Sequence, residues 1–128
     1  MDIIGRIFKF NREIIGIEPR DVGPIKGNEQ AWLAGVLREE ALEFDTSSDV
    51  VEQADALVDS IVYAIGGFYR LGLKEEQVVA CLNVVLDANF KKKAGQKSGR
   101  VYEGVVDAVK PEGWVGPEDR IKEILTNA

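Results

Sequence analysis

Histidine is absent from this sequence, and cysteine occurs once in its 128 residues. Without an imidazole, any proton transfer falls to a carboxylate, a lysine or a cation-bound water, and no serine can be activated by the usual partner. A single thiol excludes an intrachain disulfide and a thiolate metal cage. Cys81 sits in the apolar run Val78-Val79-Ala80-Cys81-Leu82 and reads as a small core residue in a reducing compartment. Long apolar runs are missing too. The best candidate, Ala56 to Gly67, is too short to span a bilayer and carries Asp59. The opening residues Met1-Asp2-Ile3-Ile4-Gly5-Arg6 lack the basic and apolar regions of a secretory signal, so a cytoplasmic location is expected. Positive charge is in deficit, 16 Lys and Arg against 22 Asp and Glu, a net charge of −6 that argues against a general nucleic-acid binder. There is no repeat or low-complexity tract, and residues 1–128 are expected to form a single domain with its own core.

What is present is helical periodicity. Ile4, Ile7, Phe8, Ile14 and Ile15 mark an amphipathic helix over residues 3–15. Pro19, Gly23, Pro24 and Gly27 then impose a loop. Asn28 is the expected N-cap of a helix running to about Phe44, and Ser47 or Ser48 that of the next, which stops at Gly72. The short break between these two makes them antiparallel neighbours. A fourth helix is expected from Lys74 to about Lys93, with Val78, Leu82, Val85 and Asn89 on its inward face. An irregular tail follows, and a short last helix over residues 118–125. With four helical segments ahead of the tail and no convincing strand, the expected fold is an all-α four-helix bundle with an irregular C-terminal tail and a short last helix.

The chemistry lies in two acidic strips. Leu33, Leu37, Glu40 and Phe44 recur at i, i+4, i+7 and i+11, an apolar stripe with a carboxylate set into it. At 100° per residue Glu39, Glu40 and Glu43 span about 100° of that helix, and Glu52, Asp55 and Asp59 fall within about 60° on the next. Gly66 lines up with Asp55 and Asp59, making room for a ligand or for a closely packed helix. Glutamates are common on solvated helix faces, and that is the plain alternative. The second strip, however, lies on a helix that continues as Ser60-Ile61-Val62-Tyr63-Ala64-Ile65, apolar nearly all round. Carboxylates converging between packed helices cannot all stay ionised without cations. Oxygen donors alone point to a hard divalent ion, Mg²⁺ first and Mn²⁺ second, the usual partner of substrate phosphates.

Beyond Asn89 lie Lys91, Lys92, Lys93, Lys97 and Arg100. On a continuing helix Lys92 and Lys93 would share the face of Asn89 and meet phosphate charge, or else simply complement the helix dipole. Among the aromatic residues Tyr63, one turn after Asp59, is best placed to stack on a base, and Trp114 lies in an irregular segment suited to a lid.

These residues resemble the all-α nucleoside triphosphate pyrophosphohydrolases, the MazG-like superfamily that includes phosphoribosyl-ATP pyrophosphohydrolase. The resemblance runs from about Asn28 to Trp114. It rests on Glu39-Glu40-Ala41-Leu42-Glu43 for the family's EExxE, and on Asp55-Ala56-Leu57-Val58-Asp59 with its apolar continuation to Leu71-Gly72 for the ExxD helix. Asn89-Phe90-Lys91-Lys92 and Lys110-Pro111-Glu112-Gly113-Trp114 match later motifs. One departure is plain: Ala56 stands where the motif's glutamate belongs, with Asp55 one position earlier on the same helix side. Glu52-Gln53-Ala54-Asp55 also spells ExxD, one turn out of register.

The resemblance implies hydrolysis of a nucleoside triphosphate, expected to be a dNTP, between the α and β phosphates. It implies Mg²⁺ held by Glu40, Glu43, Asp55 and Asp59, with Glu39 and Glu40 as the catalytic pair. Asn89, Lys92, Lys93 and Tyr63 are the implied substrate contacts, and a homodimer or dimer of dimers the implied assembly. A non-catalytic bundle that binds a metal or nucleotide, or serves as an assembly module, is the alternative. A di-iron carboxylate bundle is disfavoured because its Glu-x-x-His motif cannot exist here.

Overall fold

The computed structural model describes residues 2–100 and 104–126. The chain is mostly helical, and the described residues form five α-helices and one small two-stranded sheet. They are α1 (Ile3–Phe10), continued by a π-helical turn over Asn11–Ile15, α2 (Gly27–Thr46), α3 (Val50–Arg70), α4 (Glu75–Asn89) and α5 (Glu118–Thr126), with β1 (Lys93–Gly95) and β2 (Asp107–Val109) between the last two helices. Among the described residues no single helix is long and apolar enough to cross a membrane. The chain divides into two compact units, residues 1–78 and 79–128.

In the first unit, Asp2 caps α1, its side chain accepting from the Gly5 amide at 2.8 Å. Gly16, at φ +85°, ends the π turn. The following loop is tied down rather than loose. Tyr69 donates its hydroxyl to the Ile17 carbonyl at 2.6 Å, and the Gly23 amide donates to the Leu71 carbonyl at 3.0 Å. Gly72 sits at φ +85° with the Asp21 and Arg20 carbonyls where a Cβ would stand, so only glycine serves there.

Both expected caps are corrected. The helix α2 begins at Gly27 behind Lys26, with no side-chain cap, and Asn28 already lies inside it. The Glu29 carboxylate in its first turn is taken by two arginines, Arg20 at 2.7 Å and Arg70 at 2.8 Å, which anchor this end instead. Asp49, not a serine, caps α3 by accepting from the Glu52 amide, while the Ser47 hydroxyl donates to the Glu52 carboxylate at 2.9 Å.

The helices α2 and α3 pack on each other along their length. Ala56 is 1 % exposed, and Gly67 admits the Leu33 side chain, which a Cβ would meet at 2.9 Å. Phe8 and Tyr69 meet edge to face at 5.2 Å. The opposite side of α3 is apolar and uncovered. Val50, Val51, Leu57, Val58 and Ile61, each more than half exposed, fall within about 120° of one another at 100° per residue.

In the second unit, the buried stripe of α4 runs through Cys81, Val84 and Ala88, continuing from Val78 at the end of the first. Leu82 and Asn89, expected on the inward face, are exposed. Val78, Cys81, Val84 and Ala88 follow a three-three-four spacing, and Leu82 and Asn89 are each one residue past a buried member, about 100° round the helix. The expected absence of strands is also corrected. Lys93 pairs with Val109 and Gly95 with Asp107 in an antiparallel ladder. Gly95 allows the approach, since a Cβ there would lie 2.8 Å from Val109. Three-residue strands carry too little pattern to be read locally.

Candidate active site

Antiparallel packing brings the two acidic strips together. From α2, Glu40 projects into the contact with α3 and is 9 % exposed. Its Oε2 is fully buried and has no hydrogen-bond partner among the described residues. Around it stand Glu43, Asp59 and Asp55. Desolvation first, then the neighbouring Glu43 carboxyl, then the charges of Asp59 and Asp55, push the Glu40 carboxyl from 4.5 up to about 7. An orphaned carboxylate oxygen is costly and invites a proton or a cation.

The other members line up by depth. Asp59 is half-buried, while Glu43, Asp55 and Glu39 are exposed. Glu43, Thr46, Ser47, Glu52 and Asp55 line a polar concavity of about 230 Å³ at the loop end of the two helices. Glu52 belongs to its rim, held by Ser47, and does not act on Glu40. The arrangement therefore groups Asp55 with Asp59, and leaves the register-shifted Glu52-to-Asp55 spelling half outside. A glutamate at position 56 would have to displace the α2–α3 packing that Ala56 fills.

All-oxygen donors and the orphaned Glu40 Oε2 fit a hard divalent cation. Among the described residues no three of these carboxylates are drawn to one point as they stand. Glu43 and Asp55 are exposed and carry no ion pair among the described residues, so side-chain rotation is available to gather them.

Tyr63, one turn after Asp59 on α3, meets Trp32 of α2 edge to face at 6.1 Å. The Arg70 guanidinium lies 4.4 Å over the Trp32 ring. Gly66, in line with the aspartates, makes room for a side chain of the chain itself: a Cβ would lie 3.1 Å from Asn11 Nδ2. Asn11 was not singled out from the sequence. Its signal was present, because Ile4, Ile7, Phe8, Asn11, Ile14 and Ile15 complete one apolar stripe with a single polar member.

Asn89, Lys92 and Lys93 lie in the second unit. The helix ends at Asn89, so the helical spacing that would align the two lysines with it does not apply. Lys93 is exposed in β1. The Lys92 ammonium lies 4.8 Å over the Trp114 ring, which Lys110 also approaches at 5.1 Å. Trp114, expected in an irregular segment suited to a lid, donates its indole N–H to the Ala88 carbonyl at 2.7 Å, which ties it to the end of α4. Compared with protein-family models, curated proteins and solved structures, the chain matches none.

Proposed function

We propose that this protein hydrolyses a nucleoside triphosphate, a dNTP by preference, between the α and β phosphates, with Mg²⁺ or Mn²⁺ as cofactor. The observation that carries the reading is Glu40, buried with an orphaned oxygen among Glu43, Asp55 and Asp59. A hard cation held by those four would supply Lewis acidity toward the phosphate oxygens. Glu39, exposed beside Glu40, accepts the proton of the attacking water as its oxygen bonds to the α phosphorus and the bond to the β-phosphate oxygen breaks. Nothing on the acidic strips offers a better nucleophile than water. Ser60 donates its hydroxyl to the Ala56 carbonyl at 2.8 Å, and burial raises the Cys81 thiol pKa, keeping it protonated. That buried thiol also suits the cytoplasm.

Isotope-labelled water tests the reading. Label on the monophosphate with intact pyrophosphate released supports it, whereas orthophosphate and a diphosphate mean attack at the γ position and overturn it. The roles of Asn89, Lys92 and Lys93 toward polyphosphate rest on their residue chemistry. Lys92→Ala should weaken inhibition by pyrophosphate, and unchanged inhibition removes Lys92 from the site.

The apolar strip of α3 favours a second copy of this chain as partner. A helix whose acidic side faces α2 leaves Val50, Val51, Leu57, Val58 and Ile61 in water, a contiguous patch of the kind that marks an interface. Sedimentation of the wild type as a dimer or tetramer, and of Ile61→Lys as a smaller species, is the expected pair of results. Retained assembly without turnover is the outcome that would favour the non-catalytic module instead.

A further inference from the structure

A partly open cavity of about 180 Å³ lies in the first unit between the π turn, α2 and α3, lined by Asn11, Trp32, Leu33, Tyr63, Gly66 and Arg70 among others. It is below the ~300 Å³ at which pockets begin to take drug-sized ligands, so its occupant is about one ring system. Asn11 is 6 % exposed, and its Nδ2 donates to the Ile7 carbonyl at 2.9 Å. Among the described residues its second amide hydrogen and its Oδ1 have no partner. A primary amide that turns one donor and one acceptor toward a cavity is met there by water or by a ligand that pairs both. Gly66 preserves this placement, because any side chain there would press on Nδ2 at 3.1 Å and Oδ1 at 3.3 Å. The remaining walls are largely apolar, the rings of Phe10, Trp32 and Tyr63 beside the aliphatic Ile15, Leu33 and Val62. Trp32 and Tyr63 stand edge to face, and Arg70 is held over Trp32 by its ion pair with Glu29 at 2.8 Å.

We infer that this cavity binds a nucleobase, with the Asn11 amide pairing an adjacent donor and acceptor on the base edge and the Tyr63 ring lying against one of its faces. The chemistry selects a flat heterocycle. An aliphatic ligand would leave the amide unmet, and an anion would find one acceptor oxygen beside one arginine already paired with Glu29. The inference rests on the triphosphate reading in one respect, position. Along α3, Tyr63 lies about 6 Å and Gly66 about 10 Å of helical rise beyond Asp59. Phosphates at the acidic strip would therefore carry their sugar toward Tyr63 and their base toward Asn11. Base selection then belongs to Asn11 and hydrolysis to the carboxylates, on different helices.

The test uses nucleosides, which carry no phosphate, added to the full chain in chelator. The expected result is saturable binding of at least one nucleoside, moving the Asn11 side-chain amide and Tyr63 ring resonances. Asn11→Ala should weaken it roughly tenfold or more, as expected when a base edge loses its partners in a buried site. If that variant fails to fold, Gly66→Ala and Tyr63→Leu carry the same expectation from the other walls. No nucleoside moving those resonances, or binding that survives all three substitutions, overturns the inference and leaves a hydrated cavity. The two readings fail separately. Nucleoside binding without pyrophosphate release from any triphosphate keeps the pocket and removes the hydrolase. Pyrophosphate release without nucleoside binding does the reverse.

Discussion

Metal binding at the acidic strip should release a proton from Glu40, in an amount that its environment sets. With its carboxyl at about 7 rather than 4.5, about half of the chains carry that proton at pH 7, about nine-tenths at pH 6 and about a tenth at pH 8. A cation ligated by the Glu40 carboxylate displaces that fraction. Calorimetric titration with Mg²⁺ in two buffers of different ionisation heat reads it directly: about half a proton per chain at neutrality, rising toward one in mild acid. Glu40→Gln should release none. Stability of the metal-free protein supplies a second reading with a fixed sign. A folded-state pKa raised above the unfolded value means the native chain binds more protons between 4.5 and about 7. Unfolding free energy should therefore fall as pH rises through that window, and the fall should shrink in Glu40→Gln. Proton release that is absent at both pH 6 and pH 7, with Mg²⁺ demonstrably bound, would refute the placement of Glu40 among the ligands.

Three further outcomes follow from the same geometry. Asp59→Asn and Glu43→Gln should abolish turnover while leaving metal-free stability equal or higher, since each removes a charge facing Glu40; unfolding of either without metal would make these groups structural partners instead. Glu29→Gln should cost about 1–2 kcal/mol in urea denaturation at pH 7, discounted for a carboxylate still partly open to water. Arg20 foremost, and Arg70, hold the Glu29 carboxyl down at about 2, so the gap between variant and wild type should persist above 4.5 and close as pH falls toward 2. Val78→Ala, at a fully buried side chain, should cost about 2–3 kcal/mol, and a loss below about 1 would mean that the site relaxes to fill the space.

The amino-acid pattern alone determined the helices and the two acidic faces, because a 3.6-residue period and a carboxylate set into an apolar stripe are local signals. Glu40 was legible for that reason: Leu33, Leu37 and Phe44 mark its slot. Asn11 was written in the same code, but it is a lone polar residue in a short N-terminal helix. Only packing against Gly66, dozens of residues away, turns it into the floor of a cavity. Tertiary structure also decided the helix caps, since Arg20 and Arg70 converge on Glu29 from the loop and from α3. It decided which side of α4 is buried, where Val78, Leu82, Val85 and Asn89 make as regular a stripe as the Val78, Cys81, Val84 and Ala88 that is covered. The pairing of Lys93–Gly95 with Asp107–Val109 was beyond local reading for the same physical reason: a strand of three residues gains its hydrogen bonds from a partner, not from its own pattern.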